Sequence, residues 1–117
     1  MNEKPDDLEE RTAVFAEDVR AYVRKLPRTI SNAEDVKQLV RASGSVAANC
    51  IEADESLGAK DKLFRFRICR KEAKETSLWL RLVHTDGDAA LDKQREALQQ
   101  ESVELRLIIS AIIRKLE

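Results

Sequence analysis

Residues 88–116 read DAALDKQREALQQESVELRLIISAIIRKL. Within them Leu91, Arg95, Leu98, Ser102, Leu105, Ile109, Ile112 and Leu116 recur at alternating steps of four and three. Such a 3.5-residue repeat places one side chain per turn on a single stripe, the pattern of helices that pack side by side in a bundle. Ile108 and Ile113 widen the stripe in its C-terminal half. The stretch predicts one long helix with one long apolar seam, and such a seam requires partner helices.

Working back along the chain, the helix breakers fall at regular places. Asp86-Gly87-Asp88, Gly58 and Pro27 divide the sequence into four segments with helical period. The first, about 7–26, carries Leu8, Thr12, Phe15, Val19, Tyr22 and Leu26 on one stripe, with Asp6 and Asp7 suited to its start. The second, about 32–54, follows Ser31-Asn32-Ala33-Glu34, which fits a capping box with Ser31 as the cap. Its apolar arc is Val36, Leu39, Val40, Ser43, Val46, Ala47, Cys50 and Ile51; Gln38, Arg41, Ser45, Asn49 and Glu52 lie opposite. A close backbone approach by a neighbouring helix would explain Gly44 in its interior, as would chance. The third, about 59–84, has two apolar arcs, Phe64, Ile68, Leu78, Trp79 and Leu82 against Phe66, Cys69, Ala73 and Leu80. Two arcs exceed what a surface helix needs, so one is expected in the core and the other against a second subunit. The fourth is 88–116. The linkers, near 27–30, 55–58 and 85–87, are too short for crossovers. The expected fold is therefore all-α, an antiparallel up-down-up-down four-helix bundle over residues 7–117 after a flexible N-terminus at 1–6.

Composition agrees. Glycine (3) and proline (2) are far too scarce among 117 residues for the turns of a sheet-rich fold, and 43% apolar residues suffice for one core. No apolar run reaches the roughly 18 residues of a membrane span, and the acidic start is unlike a signal peptide. A cytoplasmic protein is expected. Two cysteines make no disulfide framework, so Cys50 and Cys69 are expected as buried small hydrophobes. With His84 the only histidine, neither a histidine-rich metal site nor a di-iron bundle motif can be built, and no cofactor is expected. His84 is instead expected to cap the last carbonyls of the third helix, and Trp79 to lie in the core or an interface.

Charged residues are 37% of the chain, yet the net charge is only −1. The balance is uneven. Residues 60–83 hold Lys60, Lys62, Arg65, Arg67, Arg70, Lys71, Lys74 and Arg81 against Asp61, Glu72 and Glu75, a net +5, whereas each of the other three segments is mildly acidic. A strip formed by Lys60, Arg67, Arg70, Lys71 and Lys74 suits phosphate contacts. A solvated face neutralised by neighbouring acidic helices explains the same residues. Glu72 and Glu75 share an arc with Ile68, Trp79 and Leu82, so partial burial is expected, with Arg41 as ion-pair partner and Asn49 as a further hydrogen-bond donor. No nucleophile, metal-ligand set or phosphate loop accompanies the pair, and an enzyme is not expected.

Gln38-Leu39-Val40-Arg41-Ala42-Ser43-Gly44-Ser45-Val46-Ala47-Ala48-Asn49-Cys50-Ile51-Glu52-Ala53 resembles the signature of the bacterial four helix bundle proteins, first noticed as reading frames within 23S ribosomal RNA intervening sequences. Phe64 to Glu75 resembles the aromatic and acidic third helix of that family. The resemblance covers residues 30 to about 83. It implies an antiparallel four-helix bundle that assembles into a ring, typically a homopentamer. It also implies kinship with the accessory variability protein of diversity-generating retroelements, which partners a reverse transcriptase and nucleic acid. Carried over by position, Arg41, Ser45, Asn49 and Glu52, with Glu72 and Glu75, take structural or interface roles. Ala53 stands where the family commonly has glycine, and the retroelement proteins are strongly basic where this chain is not. The leading expectation is a non-enzymatic, self-assembling scaffold. The competing one is an RNA- or DNA-binding accessory protein using the basic strip.

Overall fold

Four helices in up-down-up-down order follow from where the chain can and cannot cap itself. The computed structural model describes residues 7–117, and the flexible N-terminus expected at 1–6 lies outside the described residues. The helices are α1 (Leu8–Val23), α2 (Ile30–Asp54), α3 (Ala59–Leu82) and α4 (Ala89–Leu116). Asp7 opens α1 by accepting the Glu9 N–H, and Asp88 opens α4 by accepting that of Leu91. Helix α1 stops three residues earlier than its apolar stripe predicts. Leu26 precedes Pro27, which disfavours helical backbone there, and the chain tightens through Lys25 N–H to Tyr22 and Leu26 N–H to Val23. Leu26 is still buried.

The start of α2 corrects the sequence reading. Thr29, not Ser31, is the cap; its hydroxyl accepts the Asn32 N–H at 3.0 Å. That frees the Asn32 side chain for a longer reach. Its Nδ2 donates to the carbonyls of Pro27 and His84, both at 2.9 Å, and its Oδ1 accepts the His84 N–H at 2.8 Å. One buried amide thus ties the α1–α2 linker to the end of α3. The His84 ring, expected to cap α3, sits on an exposed residue, and its backbone makes these contacts. The α3–α4 turn takes left-handed backbone at Asp86 (φ 55°) and Gly87 (φ 75°), conformations that Gly and Asp tolerate best.

The core forms two clusters joined by Leu8. One gathers Phe15, Val19, Tyr22, Leu39, Leu80, Leu98 and Leu105; the other Val46, Cys50, Phe66, Cys69, Ala73, Ile109 and Ile113. On α4 the seam shifts from Ile112 to Ile113, which is fully buried. A straight helix drifts about 20° per heptad against a strict 3.5 repeat, and over the length of α4 that drift moves the seam. Helices α2 and α3 pack most intimately. Their facing residues include Ala42, Ser43, Cys50, Ala53, Cys69 and Ala73, all buried, small enough for the Cys69 thiol to reach the Val46 carbonyl at 3.4 Å. Both cysteines are free thiols, and contact with Cys50 together with burial pushes the Cys69 thiol far up. Gly44 is approached not by a backbone but by Arg20 of α1, whose guanidinium lies 3.2 Å from where a Cβ would stand.

The thinnest seam is α1–α4, and the backbones of the diagonal pairs stay apart. It is closed by an ion pair. Arg11 donates from Nε and Nη2 to the two oxygens of Glu101, each at 2.8 Å, and from Nη2 to Glu104 at 3.2 Å. The bundle measures 46 × 32 × 19 Å, its long axis close to the ~42 Å expected of 28 helical residues.

Candidate functional site

Two surfaces of α3 remain after the core is filled. The arc Phe66, Cys69, Ala73 and Leu80 faces inward and is fully buried. The other arc faces out: Phe64 is 56%, Leu78 46% and Leu82 44% exposed, with Ile68 and Trp79 half-buried beside them. The 100° step of a helix puts Glu75 within this arc and Glu72 on its flank nearest α2. Glu72 is only 6% exposed. Its Oε2 and the Trp79 indole Nε1 are buried without a hydrogen-bond partner among the described residues. Unpaired buried groups of this kind cost about 1–3 kcal/mol each.

The polar residues of α2 come to the same face. Asn49 Nδ2 donates to the Ser45 carbonyl at 2.9 Å and to its hydroxyl at 3.1 Å. Arg65, from α3, completes the set: its Nη1 lies 2.7 Å from Glu52 Oε2 and 3.5 Å from Asn49 Oδ1, and its Nε 3.9 Å from Asp61. Ser45, Asn49 and Glu52 are therefore one network whose hub is Arg65, which from the sequence is only one of the eight cations of residues 60–83. The expected pairing of Arg41 with Glu72 or Glu75 is absent. Arg41 is exposed and makes no ion pair among the described residues. The reason is its position: it projects from the outer flank of α2, while Glu72 sits low in the α2–α3 seam. Glu75 is half-buried. This face is polar at its α2 edge, apolar along α3, and covered by neither α1 nor α4.

The second surface is a groove of about 500 Å³ between α3 and α4. Arg67, Arg70, Lys71 and Lys74 line one wall; Arg106, Leu107, Ser110 and Arg114 line the other. No acidic and no aromatic side chain is among them. Arg67 meets Glu117 at 3.4 Å; the other five cations make no ion pair among the described residues. Four of the five strip residues expected from the sequence thus meet in one place, while Lys60, exposed at the start of α3, stays outside it. The α4 cations were not foreseen, although Arg106, Ser110 and Arg114 at steps of four mark one helical face. Among the described residues no group of three metal-ligating side chains is assembled, and no helix is long and apolar enough to cross a membrane.

Comparison with known proteins fits this architecture. A Bacteroides thetaiotaomicron protein of unknown function from the S23 ribosomal protein family has the same fold, with a TM-score of 0.78 over 92% of this chain and 98% of its own, at 24% identity. No curated protein matches the chain. Residues 7–111, from the cap of α1 nearly to the end of α4, match the 23S rRNA-intervening sequence proteins. With four helices in the expected order and a family match across almost their whole length, the chain belongs to the 23S rRNA-intervening sequence protein family.

Proposed function

We propose that the protein is a non-enzymatic, cytoplasmic scaffold and binding module that assembles with copies of itself through the outer face of the α2–α3 pair. A single observation carries this reading: Phe64, Leu78 and Leu82 stand exposed in a row along α3, beside the unpartnered polar atoms of Glu72 and Trp79. Burying a large apolar side chain stabilises by about 1.5–3 kcal/mol, so a second surface laid on this row gains substantially. Arg41, Ser45, Asn49, Glu52, Glu72 and Glu75 then act as the polar edge that orients the contact. Closure into a ring of five is what the family resemblance implies. Light scattering coupled to size exclusion tests the reading. The parent chain should elute as a multi-subunit assembly at micromolar concentration, and Leu78→Glu with Leu82→Glu should dissociate it without unfolding. A parent that is monomeric at that concentration overturns it.

The groove favours a second reading, an accessory protein that holds RNA or DNA and, through it, a reverse transcriptase or ribosomal RNA. Arg67, Arg70, Lys71 and Lys74 are then joined by Arg106 and Arg114. Affinity for structured RNA should fall steeply with salt, because each phosphate contact releases counterions. No binding at low salt overturns this reading.

A further inference from the structure

The lining of the α3–α4 groove has no aromatic, amide or carboxylate side chain, which leaves its cations and one serine as the only polar groups able to touch a base. Stacking on single strands needs aromatic faces, and base edges are read by side-chain amides, carboxylates and bidentate arginines in register with them. The walls offer six cations, one serine hydroxyl and one leucine. What such a dense set of cations is best suited to recognise is the phosphate oxygen, which arginine forks and lysine ammonium groups bind well. Geometry sets how much phosphate fits. Arg106 and Arg114 are eight residues apart on α4, about 12 Å along the helix, and Arg67 to Lys74 covers nearly the same length on α3. A chain lying between the walls is met by cations from both sides over that length. Five of those cations have no ion pair to give up among the described residues.

We propose that this groove is a phosphate-chain site blind to bases, and that inorganic polyphosphate is a ligand for it. A polyphosphate chain carries its charges with no sugar between them, so more anionic oxygens fall within the same stretch of groove than a nucleic-acid strand supplies. A cleft that reads charge alone binds the denser chain at least as tightly. The inference rests on the groove being an anion site, and it specifies which anion.

Titration of the full chain at low salt with inorganic polyphosphate, and separately with single-stranded RNA of matched phosphate number and varied sequence, tests it. Polyphosphate should bind at least as tightly as RNA, displace it, and lose affinity as salt rises. Arg106→Ala with Arg114→Ala should weaken binding on the order of tenfold, while Lys37→Ala with Lys93→Ala, which removes the same charge away from the groove, should leave it within about threefold. The melting temperature of each variant confirms that it is folded. Binding of RNA with polyphosphate at least about tenfold weaker overturns the proposal and leaves the nucleic-acid reading standing. So does a marked dependence of RNA affinity on base sequence. No binding of either overturns both. Binding unaffected by the Arg106 and Arg114 substitutions overturns the site assignment.

Discussion

Replacing Asn32 by alanine removes three hydrogen bonds at once. The side chain is 2% exposed, and its amide holds the Pro27 carbonyl, the His84 carbonyl and the His84 N–H at 2.8–2.9 Å. A net hydrogen bond is worth about 0.5–1.5 kcal/mol, and a group left buried without a partner costs more. The partners are part-buried, so water rescues some of the loss. The expected destabilisation is about 2–4 kcal/mol. For a domain of this size one kcal/mol moves the melting temperature by about 4 °C, so a fall of roughly 8–16 °C is expected. Asn32→Asp keeps an acceptor for the His84 N–H but loses both donated bonds and sets a carboxylate against two carbonyls, so it should be no milder. Circular dichroism melts and urea titrations, taken together, read the change. If Asn32→Ala stays within about 0.5 kcal/mol of the parent, the size expected of an inert surface substitution, the amide is not the clasp described here.

Arg11→Ala breaks a bidentate ion pair whose partners are only 13% and 16% exposed, and should cost about 2–3 kcal/mol in denaturant titrations; a loss below about 0.5 kcal/mol contradicts it. Gly44→Ala should stabilise by up to about 1 kcal/mol through helix propensity, because the neighbour at 3.2 Å is the movable tip of Arg20; a lower melting temperature means that the tip cannot yield. Partial desolvation, with Glu17 and Glu101 nearby, raises the Asp18 carboxyl above its ordinary value. A carboxyl with a raised folded pKa stabilises when protonated and loses that contribution as pH rises through the folded value. Asp18→Asn should therefore melt higher than the parent at pH 7, and its advantage should shrink towards pH 3; an advantage unchanged across that range refutes the assignment.

The helices were legible because each apolar stripe is a local pattern. The stripe of α4 names five residues that are buried, and three that are half-buried, without reference to any other helix. Boundaries were less so where two local signals compete. Thr29 and Ser31 both suit a cap, and the choice was made by Asn32, whose partner His84 is 52 residues away. The same limit governs the surfaces. The cations of α3 were visible as a strip, but Arg106 and Arg114 belong to it only once α3 and α4 are set side by side. Arg65 became a hub only when α2 and α3 found their register. Arg41 was misassigned because a helical wheel gives direction around the axis and says nothing of how deep a neighbour's side chain sits.

The thin seam between α1 and α4 bears on how the chain is made. Helix α1 leaves the ribosome first, yet the Glu101 that Arg11 grips is 90 residues later in sequence. The α2–α3 hairpin, with its short linker and close contacts, has what it needs much earlier, and local pairings form before distant ones. During synthesis α1 can lean on α2 alone, and its Arg11 waits unpaired until α4 has emerged. That seam cannot close before α4 has emerged, and as the most sparsely packed of the four it is where the bundle is expected to open first.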